Sequence, residues 1–336
     1  MIPSIRHGSR GAVALAAVVA VCLLGCRKRE EVKEAGGLYP VTMQLDWYPQ
    51  PEQGGFFDAL LKGYYKAEGL DVKLAPGGPF IVAEQQVSSG AMQFAQGASD
   101  QLLVDASRGL PVVAVAATMQ KDPQGIMVHA ESSIHSFADL NGHAVAVKPG
   151  SDWFQYLVKR FKLGNVREIP ATYSVANFLQ DPNYIQQAFV TSEPYFAAKG
   201  GAPARVLLNS DAGYHPYRLF FTSRQFLADH PEIVAKFVRA SLKGWQDFLA
   251  DPAAVDAEIA KLNPAQNPEQ MAFSVKTLKE GHFITGDDGK DLGKFSPERW
   301  AETYNQLLEL GLIAQPLDPK TVYTLQFQPQ GTGIRD

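Results

Sequence analysis

The sequence predicts an α/β protein of two lobes, each built on a mostly parallel sheet flanked by helices. From Pro40 onward, short apolar runs alternate with amphipathic stretches, and this alternation is typical of βα units. The chain has 336 residues, of which 46% are hydrophobic, and this length is on the high side for a single core. Polar segments with Pro and Gly at 120–125 and 211–217 mark two points where the chain would pass between lobes.

The first lobe is predicted from two stretches of chain, 40–122 and 218–336. Its strand candidates are apolar runs bounded by turn residues, at 41–48, 71–75, 92–96, 112–118 and 218–222. Its helix candidates repeat apolar residues every three or four positions, at 56–68, 81–89, 100–108, 231–250 and 297–310. In the first of these helices the aromatic residues share one face, which indicates core packing, and Gly69 follows as a stop.

The second lobe is predicted to cover 123–217. Its strand candidates lie at 126–129, 144–147, 166–169, 188–190 and 206–208, and its helices begin near Ser151, Ser174 and Glu193. The strand at 218–222 then returns the chain to the first lobe. The two crossings would act as hinges.

The N-terminus has the features of an export signal, which we place at 1–25. Arg6 and Arg10 precede an apolar run at 11–24, which is shorter than the roughly 20 residues that a membrane-spanning helix needs. Cys26 follows Leu-Leu-Gly, and this setting resembles the lipobox of bacterial lipoproteins. We therefore predict a lipidated Cys26, a charged flexible tether over 26–39 and an extracytoplasmic protein held at a membrane, on its periplasmic or cell-surface side. An ordinary secreted protein with a lone cysteine is the alternative.

Composition excludes several classes of partner and chemistry. Loss of Arg6 and Arg10 with the signal would change the formal net charge from −4 to −6, and no basic cluster indicates nucleic acid. Of the two cysteines only Cys26 would remain, so the mature chain has no internal disulfide. Hydrolase and nucleotide-binding glycine motifs are absent, and the spacing of His129, His135 and His143 does not suit a metal site.

Several motifs resemble those of a known family of solute-binding proteins, which serve ABC importers of nitrate, sulfonates and thiamine precursors. The motifs are Leu45-Asp46-Trp47-Tyr48-Pro49, Gly54-Gly55-Phe56, and the segments at 65–72, 95–100, 139–142, 190–195 and 198–201. The resemblance covers nearly all of the mature chain. It implies a type II periplasmic-binding fold, a monomer that traps a ligand between its lobes, and an ABC permease as partner.

This fold predicts where the ligand-binding residues lie. In open parallel sheets, ligands sit beyond the carboxyl ends of the strands, where helix N-termini present free N–H groups. The candidate ligand-binding residues are Asp46, Trp47, Tyr48, Gln53, Ser99, Asp100, Ser151, Trp153, Thr191, Glu193 and Tyr217. Several also have a purely structural interpretation: Asp46 would hold a turn, Ser99 or Asp100 would cap a helix, and Glu193 would complement a helix dipole.

The candidate residues favour a neutral or cationic nitrogen heterocycle as the ligand. Asp46, Asp100 and Glu193 would repel a buried anion, whereas Trp47, Tyr48 and Trp153 could stack on a flat ring. A thiamine-precursor pyrimidine is the first expectation, by resemblance to the pyrimidine-binding branch. Alternatives are a flavin-binding or a sulfonate- or nitrate-binding importer protein, or a sensor that binds the same ligand.

An enzymatic role is not expected. The resembled family includes a eukaryotic enzyme that makes the thiamine pyrimidine from its own histidine, with pyridoxal phosphate and an iron-associated cysteine cluster. This chain has Gln53 where that histidine would be expected, and it has no cysteine-rich run. We therefore expect a binding protein without a cofactor or metal.

Overall fold

Two five-stranded sheets, each flanked by helices, form the described part of the protein, residues 37–329 of a computed structural model. The predicted signal peptide, Cys26 and most of the tether lie outside the described residues. Within 37–329, no helix combines the length and apolarity needed to cross a bilayer.

Ten strands build the two sheets. They are β1 (Tyr39–Gln44), β2 (Leu70–Ala75), β3 (Phe94–Ala98), β4 (Val112–Met119), β5 (Gln124–His129), β6 (Ala144–Val147), β7 (Arg167–Pro170), β8 (Ile185–Phe189), β9 (Ala204–Leu208) and β10 (Arg218–Ser223). The α-helices are α1 (Gly54–Leu61), α2 (Tyr64–Ala67), α3 (Ala83–Ser88), α4 (Ser99–Ser107), α5 (Asp152–Arg160), α6 (Ala176–Gln180), α7 (Glu193–Lys199), α8 (Arg224–Asp229), α9 (Pro231–Ala250), α10 (Ala253–Leu262), α11 (Pro268–Glu280) and α12 (Pro297–Glu309).

Each sheet has one strand that runs against the other four. The first sheet has the order β2-β1-β3-β10-β4, and β10 is antiparallel to both of its neighbours. The second has the order β7-β6-β8-β5-β9, with β5 antiparallel to β8 and β9. The predicted mostly parallel α/β architecture is confirmed. The predicted lobe boundaries stay a prediction, although every strand of the second sheet lies within 123–217.

Burial explains why β4 of the first sheet is a nearly continuous apolar run. All eight residues of β4 are buried, as expected for a strand covered on both faces. On one side α1 and α9 approach closely at Gly55 and Gly244, where a Cβ on Gly244 would lie 2.2 Å from the carbonyl oxygen of Gly55. Trp245 and Phe248 of α9 fill the space beside this contact and are fully buried.

Three details differ from the sequence-based expectations. The helix predicted at 56–68 is divided into α1 and α2 at Gly63, which has a left-handed φ of +71°. The first strand ends at Gln44 rather than at 48, because the chain turns after Leu45 so that the Trp47 carbonyl accepts a hydrogen bond from Gly77 N. The structure also contains α10 and α11, for which the sequence analysis gave no separate helix.

Candidate ligand-binding site

A cavity of about 520 Å³ lies between the two sheets. Its wall includes residues that directly follow β1, β3, β6 and β8, and residues from the two chain crossings. The first four groups come from the carboxyl ends of strands, which is where open α/β sheets place their ligands. The cavity is therefore the candidate ligand-binding site.

The structure brings seven of the eleven predicted residues to this cavity. They are Asp46, Trp47, Gln53, Asp100, Ser151, Trp153 and Glu193. Trp153 is 6% exposed and also packs in the core of the second sheet, so only part of this side chain is available to a ligand. The ligand contacts of these residues stay a prediction.

Four predicted residues, Tyr48, Ser99, Thr191 and Tyr217, do not line the cavity. Ser99 and Tyr217 bind each other: Tyr217 N donates to Ser99 Oγ at 2.9 Å, and Ser99 N donates to the Tyr217 carbonyl at 3.0 Å. The buried hydroxyl of Thr191 donates to a carboxylate oxygen of Glu52. Tyr48 is 49% exposed, and its ring lies against the edge of Trp47.

Other lining residues were missed at the sequence level. They are mainly Glu52, Glu84, Asp122, Asp152, Arg218, Tyr173 and Phe189. A signal existed for Glu84 and Asp152, since both lie in the first turn of a helix that follows a strand, as Asp100 does. No such signal exists for Glu52, which a short 3-10 turn at Pro51–Gln53 carries into the cavity.

Carboxylates dominate the charge of the cavity. Its wall holds eight acidic side chains, Asp46, Glu52, Glu84, Asp100, Asp105, Asp122, Asp152 and Glu193, but three basic ones, Arg108, Lys148 and Arg218. Two of the three cations are within salt-bridge distance of an acid: Arg108 of Asp105 and Arg218 of Asp122. With these acids ionised, an anionic ligand would meet net repulsion here, whereas donors of hydrogen bonds and cations would be attracted.

Arg218 links the two chain crossings at the floor of the site. Its Nε donates to Asp122 Oδ1 at 3.0 Å, and its Nη2 donates to Gln124 Oε1 at 3.0 Å. The guanidinium also lies 4.9 Å from the ring centroid of Phe189. The ion pair is well buried, with side-chain exposures of 14% for Arg218 and 3% for Asp122.

Glu52 is the most unusual acid of the site. It is 3% exposed, its Oε1 accepts the Thr191 hydroxyl, and its Oε2 has no partner within the described residues. Burial raises the pKa of Glu52 to about 7, and the nearby carboxylates of Glu193 and Asp46 act in the same direction. Because Glu52 precedes α1 and Thr191 follows β8, this hydrogen bond connects the two halves of the protein.

The neighbouring acids are also shifted toward their protonated forms. Burial raises the pKa of Asp100, whose Oδ2 accepts the Tyr214 hydroxyl at 2.8 Å and whose Oδ1 has no partner within 37–329. Burial likewise raises the pKa of Glu84 and of Asp152 to about 7. Several of these acids can therefore hold a proton near neutral pH, so that the site offers both acceptors and donors.

Asp46 and Glu193 are held in place by neutral donors. The amide Nε2 of Gln53 donates to Asp46 Oδ1 at 3.0 Å, and Phe189 N donates to Glu193 Oε2 at 2.8 Å. Burial raises the pKa of both carboxyls, and the charge of Arg218 opposes the shift at Asp46. In the described part of the chain, no group of three or more histidine, cysteine or acidic residues has the arrangement of a metal site.

Fold and site together define a solute-binding protein architecture of the periplasmic-binding type. Among solved structures, the alkanesulfonate-binding protein SsuA of Xanthomonas axonopodis pv. citri, bound to MOPS, aligns with a TM-score of 0.65 at 12% identity, covering 86% of this chain and 99% of that one. The aliphatic sulphonate binding protein SsuA of Escherichia coli aligns with a TM-score of 0.61 at 17% identity, covering 88% and 96%. These likenesses confirm the predicted fold.

The chain belongs to the family described as NMT1/THI5 like, which it matches over residues 50–255. It is 26% identical to riboflavin-binding protein RibY of Chloroflexus aurantiacus, over 88% of each chain. It is 25% identical to the formylaminopyrimidine-binding protein of Halalkalibacterium halodurans, over 89% of this chain and 94% of the relative. It is also 27% identical to the 4-amino-5-hydroxymethyl-2-methylpyrimidine phosphate synthase THI5 of Saccharomyces cerevisiae, over 68% and 72%. The predicted relationship to solute-binding proteins of ABC importers is confirmed.

Proposed function

We propose that this protein is the extracytoplasmic solute-binding component of an ABC importer and that it captures a neutral or cationic nitrogen heterocycle. The acid-rich cavity between the two sheets carries this proposal. Eight acidic side chains against three basic ones disfavour a sulfonate or nitrate, and Trp47 offers a flat wall for a ring. Delivery to a membrane permease, as predicted from the sequence, completes the role.

The size of the cavity favours a ligand larger than a single ring. At about 520 Å³ it lies within the range of roughly 300–1,000 Å³ that is usual for small-molecule sites. A lone pyrimidine would leave much of this space unfilled, whereas a tricyclic flavin with its hydroxylated chain would occupy more of it. We therefore propose a flavin such as riboflavin first, in line with the riboflavin-binding relative. A thiamine-precursor pyrimidine, first in the sequence-based expectation, is second, in line with the formylaminopyrimidine-binding relative.

We propose binding rather than catalysis. The synthase relatives leave an enzymatic role open, but Gln53 is already engaged between Asp46 and the backbone of Gln50. Its amide cannot serve as a nucleophile or titrate. Incubation of the purified protein with riboflavin or with a pyrimidine should therefore return the compound unchanged, as measured by mass spectrometry.

The lipid anchor at Cys26 is part of the same proposal. Mass spectrometry of the mature N-terminus should find an acylated cysteine, and Cys26→Ser should release the protein from the membrane fraction. An unmodified N-terminus elsewhere in the chain would contradict anchoring and leave the ligand proposal intact.

The ligand itself is tested by titration calorimetry of the purified mature protein. The probes are riboflavin, 4-amino-5-hydroxymethyl-2-methylpyrimidine and taurine. We expect micromolar or tighter binding, about −8 kcal/mol or better, for at least one ring compound and none for taurine. Tight taurine binding with no binding of either ring would contradict the proposal.

Trp47→Ala should weaken binding of the ring compound by about tenfold or more, because a stacked aromatic partner and its buried area are lost. The melting temperature should change little, since Trp47 is partly exposed on a loop after β1. Calorimetry and thermal unfolding measure both. Trp47→Phe is the control and should retain most of the affinity. If Trp47→Ala binds as tightly as the wild type, Trp47 is not a wall of the ligand site.

Glu193→Gln tests whether Glu193 recognises a ring that bears an amino group. The glutamine can still accept the hydrogen bond from Phe189 N, but it loses the negative charge. For a ring that bears an amino group, as pyrimidine precursors do, we expect a loss of about tenfold, because hydrogen bonds to charged groups contribute about 1.5–3 kcal/mol. Glu269→Gln on the surface of α11 is the control. Equal affinity of both variants for the pyrimidine would remove Glu193 from its recognition.

A further inference from the structure

Two aromatic side chains meet at the edge of the cavity, one from each half of the protein. Trp47 follows β1 of the first sheet, and Tyr173 follows β7 of the second. Their ring centroids are 5.2 Å apart with an interplanar angle of 48°, and both residues line the cavity. Tyr173 is 38% exposed, so the pair lies where the cavity opens to solvent.

Trp47 is a fixed wall of this pair. Gly77 N donates to the Trp47 carbonyl at 2.9 Å, and a Cβ on Gly77 would lie 2.5 Å from Trp47 N. The loop at 76–79 therefore packs directly against the backbone of Trp47. The ring of Tyr48 packs against the indole edge, with centroids 5.5 Å apart at 71°, and a Cβ on Gly78 would lie 3.3 Å from the Tyr48 hydroxyl oxygen.

The side chain of Tyr173 has fewer contacts than that of Trp47. Its backbone has a left-handed φ of +54°, a conformation that is unfavourable for a non-glycine residue and is often found at functional sites. Within residues 37–329, its hydroxyl has no hydrogen-bond partner, and its ring meets no other ring than that of Trp47. Tyr173 can therefore leave the indole without breaking any polar contact.

We propose that Trp47 and Tyr173 bind the ring of the ligand between them, so that Tyr173 covers its outer face and acts as a specificity-determining residue. This inference rests on the proposed function, since it needs a flat ligand. Aromatic carbons pack at about 3.5 Å, so a ring inserted between two others needs nearly parallel walls with centroids about 7 Å apart. From the present 5.2 Å and 48°, this requires a widening of about 2 Å and a rotation of the Tyr173 ring toward the plane of the indole.

The arrangement favours planar ligands and makes ligand release slow. A planar aromatic ligand contacts a ring on both of its faces, whereas an aliphatic ligand of the same volume is too thick to fit between Trp47 and Tyr173. Because Tyr173 covers the exit side, its ring must move before the ligand leaves. Removing the ring should therefore raise the dissociation rate more than it lowers the association rate.

The test compares three variants with the wild type, using the ring compound that the wild type binds and taurine. Tyr173→Asn removes the ring but tolerates a left-handed backbone, so that the loop keeps its conformation. Tyr173→Phe keeps the ring and loses the hydroxyl. Phe80→Leu changes another aromatic residue, 93% exposed in the loop whose Pro79 and Ile81 line the cavity. Stopped-flow fluorescence gives both rates, and calorimetry gives the affinity.

We expect Tyr173→Asn to weaken binding about five- to tenfold, mostly through faster dissociation, and Tyr173→Phe and Phe80→Leu to stay within about twofold of the wild type. The melting temperature of the unliganded Tyr173→Asn variant should not fall. Wild-type rates in Tyr173→Asn, or an equal loss in Phe80→Leu, would overturn the inference while the proposed function stands. A wild type that binds taurine and no ring would overturn both.

Discussion

Arg218→Met is expected to lower the free energy of unfolding by about 3–5 kcal/mol, the largest effect of any single change proposed for this protein. The reason is that removal of the guanidinium leaves Asp122, with a side chain 3% exposed, as a buried charge without its partner. The positive charge of Arg218 also lowers the pKa of Asp46 and of Asp100, because it favours their ionised forms. The loss of stability should therefore be smaller in acid, where Asp46 and Asp100 are protonated. Urea unfolding at several pH values measures the change.

Two comparisons make this prediction specific to the buried pair. The double variant Asp122→Asn, Arg218→Met should recover much of the lost stability, because no unpaired charge remains. Arg239→Met breaks a surface pair between α9 and Glu68, in which the arginine side chain is 60% exposed, and should cost less than about 1 kcal/mol. An Arg218→Met loss no larger than that of Arg239→Met would mean that the crossings are not stabilised by this ion pair.

Glu52→Gln is expected to stabilise the unliganded protein by about 2 kcal/mol near pH 8 and not at all near pH 5. The pKa of Glu52 is raised from 4.5 to about 7 in the folded chain. Its contribution to stability is therefore fully present below about pH 4.5 and is lost as the pH rises through 7. A shift of this size corresponds to about 3 kcal/mol, and burying an unpaired amide N–H offsets about 1 kcal/mol of the gain.

Urea unfolding of wild type and variant at the two pH values tests the sign. The glutamine can still accept the hydrogen bond from Thr191, so the link between the two halves is kept. Glu269→Gln is the matched control: Lys199 and Tyr195 lower the pKa of Glu269, so its replacement should not stabilise the protein at high pH. A Glu52→Gln variant that is less stable than wild type at both pH values would contradict a raised pKa at Glu52.

Local pattern was sufficient to predict much of the fold and several residues of the cavity wall. Both sheets follow from alternating apolar runs, and Asp46, Asp100 and Glu193 follow from the rule that ligands lie beyond the carboxyl ends of parallel strands. The sequence does not show that the helix breaks at Gly63, because one glycine within an apolar repeat fits both a continuous helix and two short ones.

The remaining parts of the site depend on contacts between distant residues. The sequence predicts that Ser99 faces the cleft or caps a helix, but in the structure Ala98 is at the N-cap of α4 and Ser99 Oγ accepts a hydrogen bond from Tyr217 N. Asp122 and Arg218 are 96 positions apart, so no local pattern could reveal that they pair. Tyr173 lies in an irregular loop, and nothing in the local sequence predicts its left-handed backbone conformation.

The pairing of Met119 with Arg218 in the first sheet has a consequence for engineering. These two residues are register neighbours although 98 residues separate them in the chain. A tight turn could join them directly, and β10 would still lie between β3 and β4. The second sheet is thus an insertion between two neighbouring strands of the first sheet, so that a chimera carrying this segment from a relative would exchange one side of the cavity wall and keep the other.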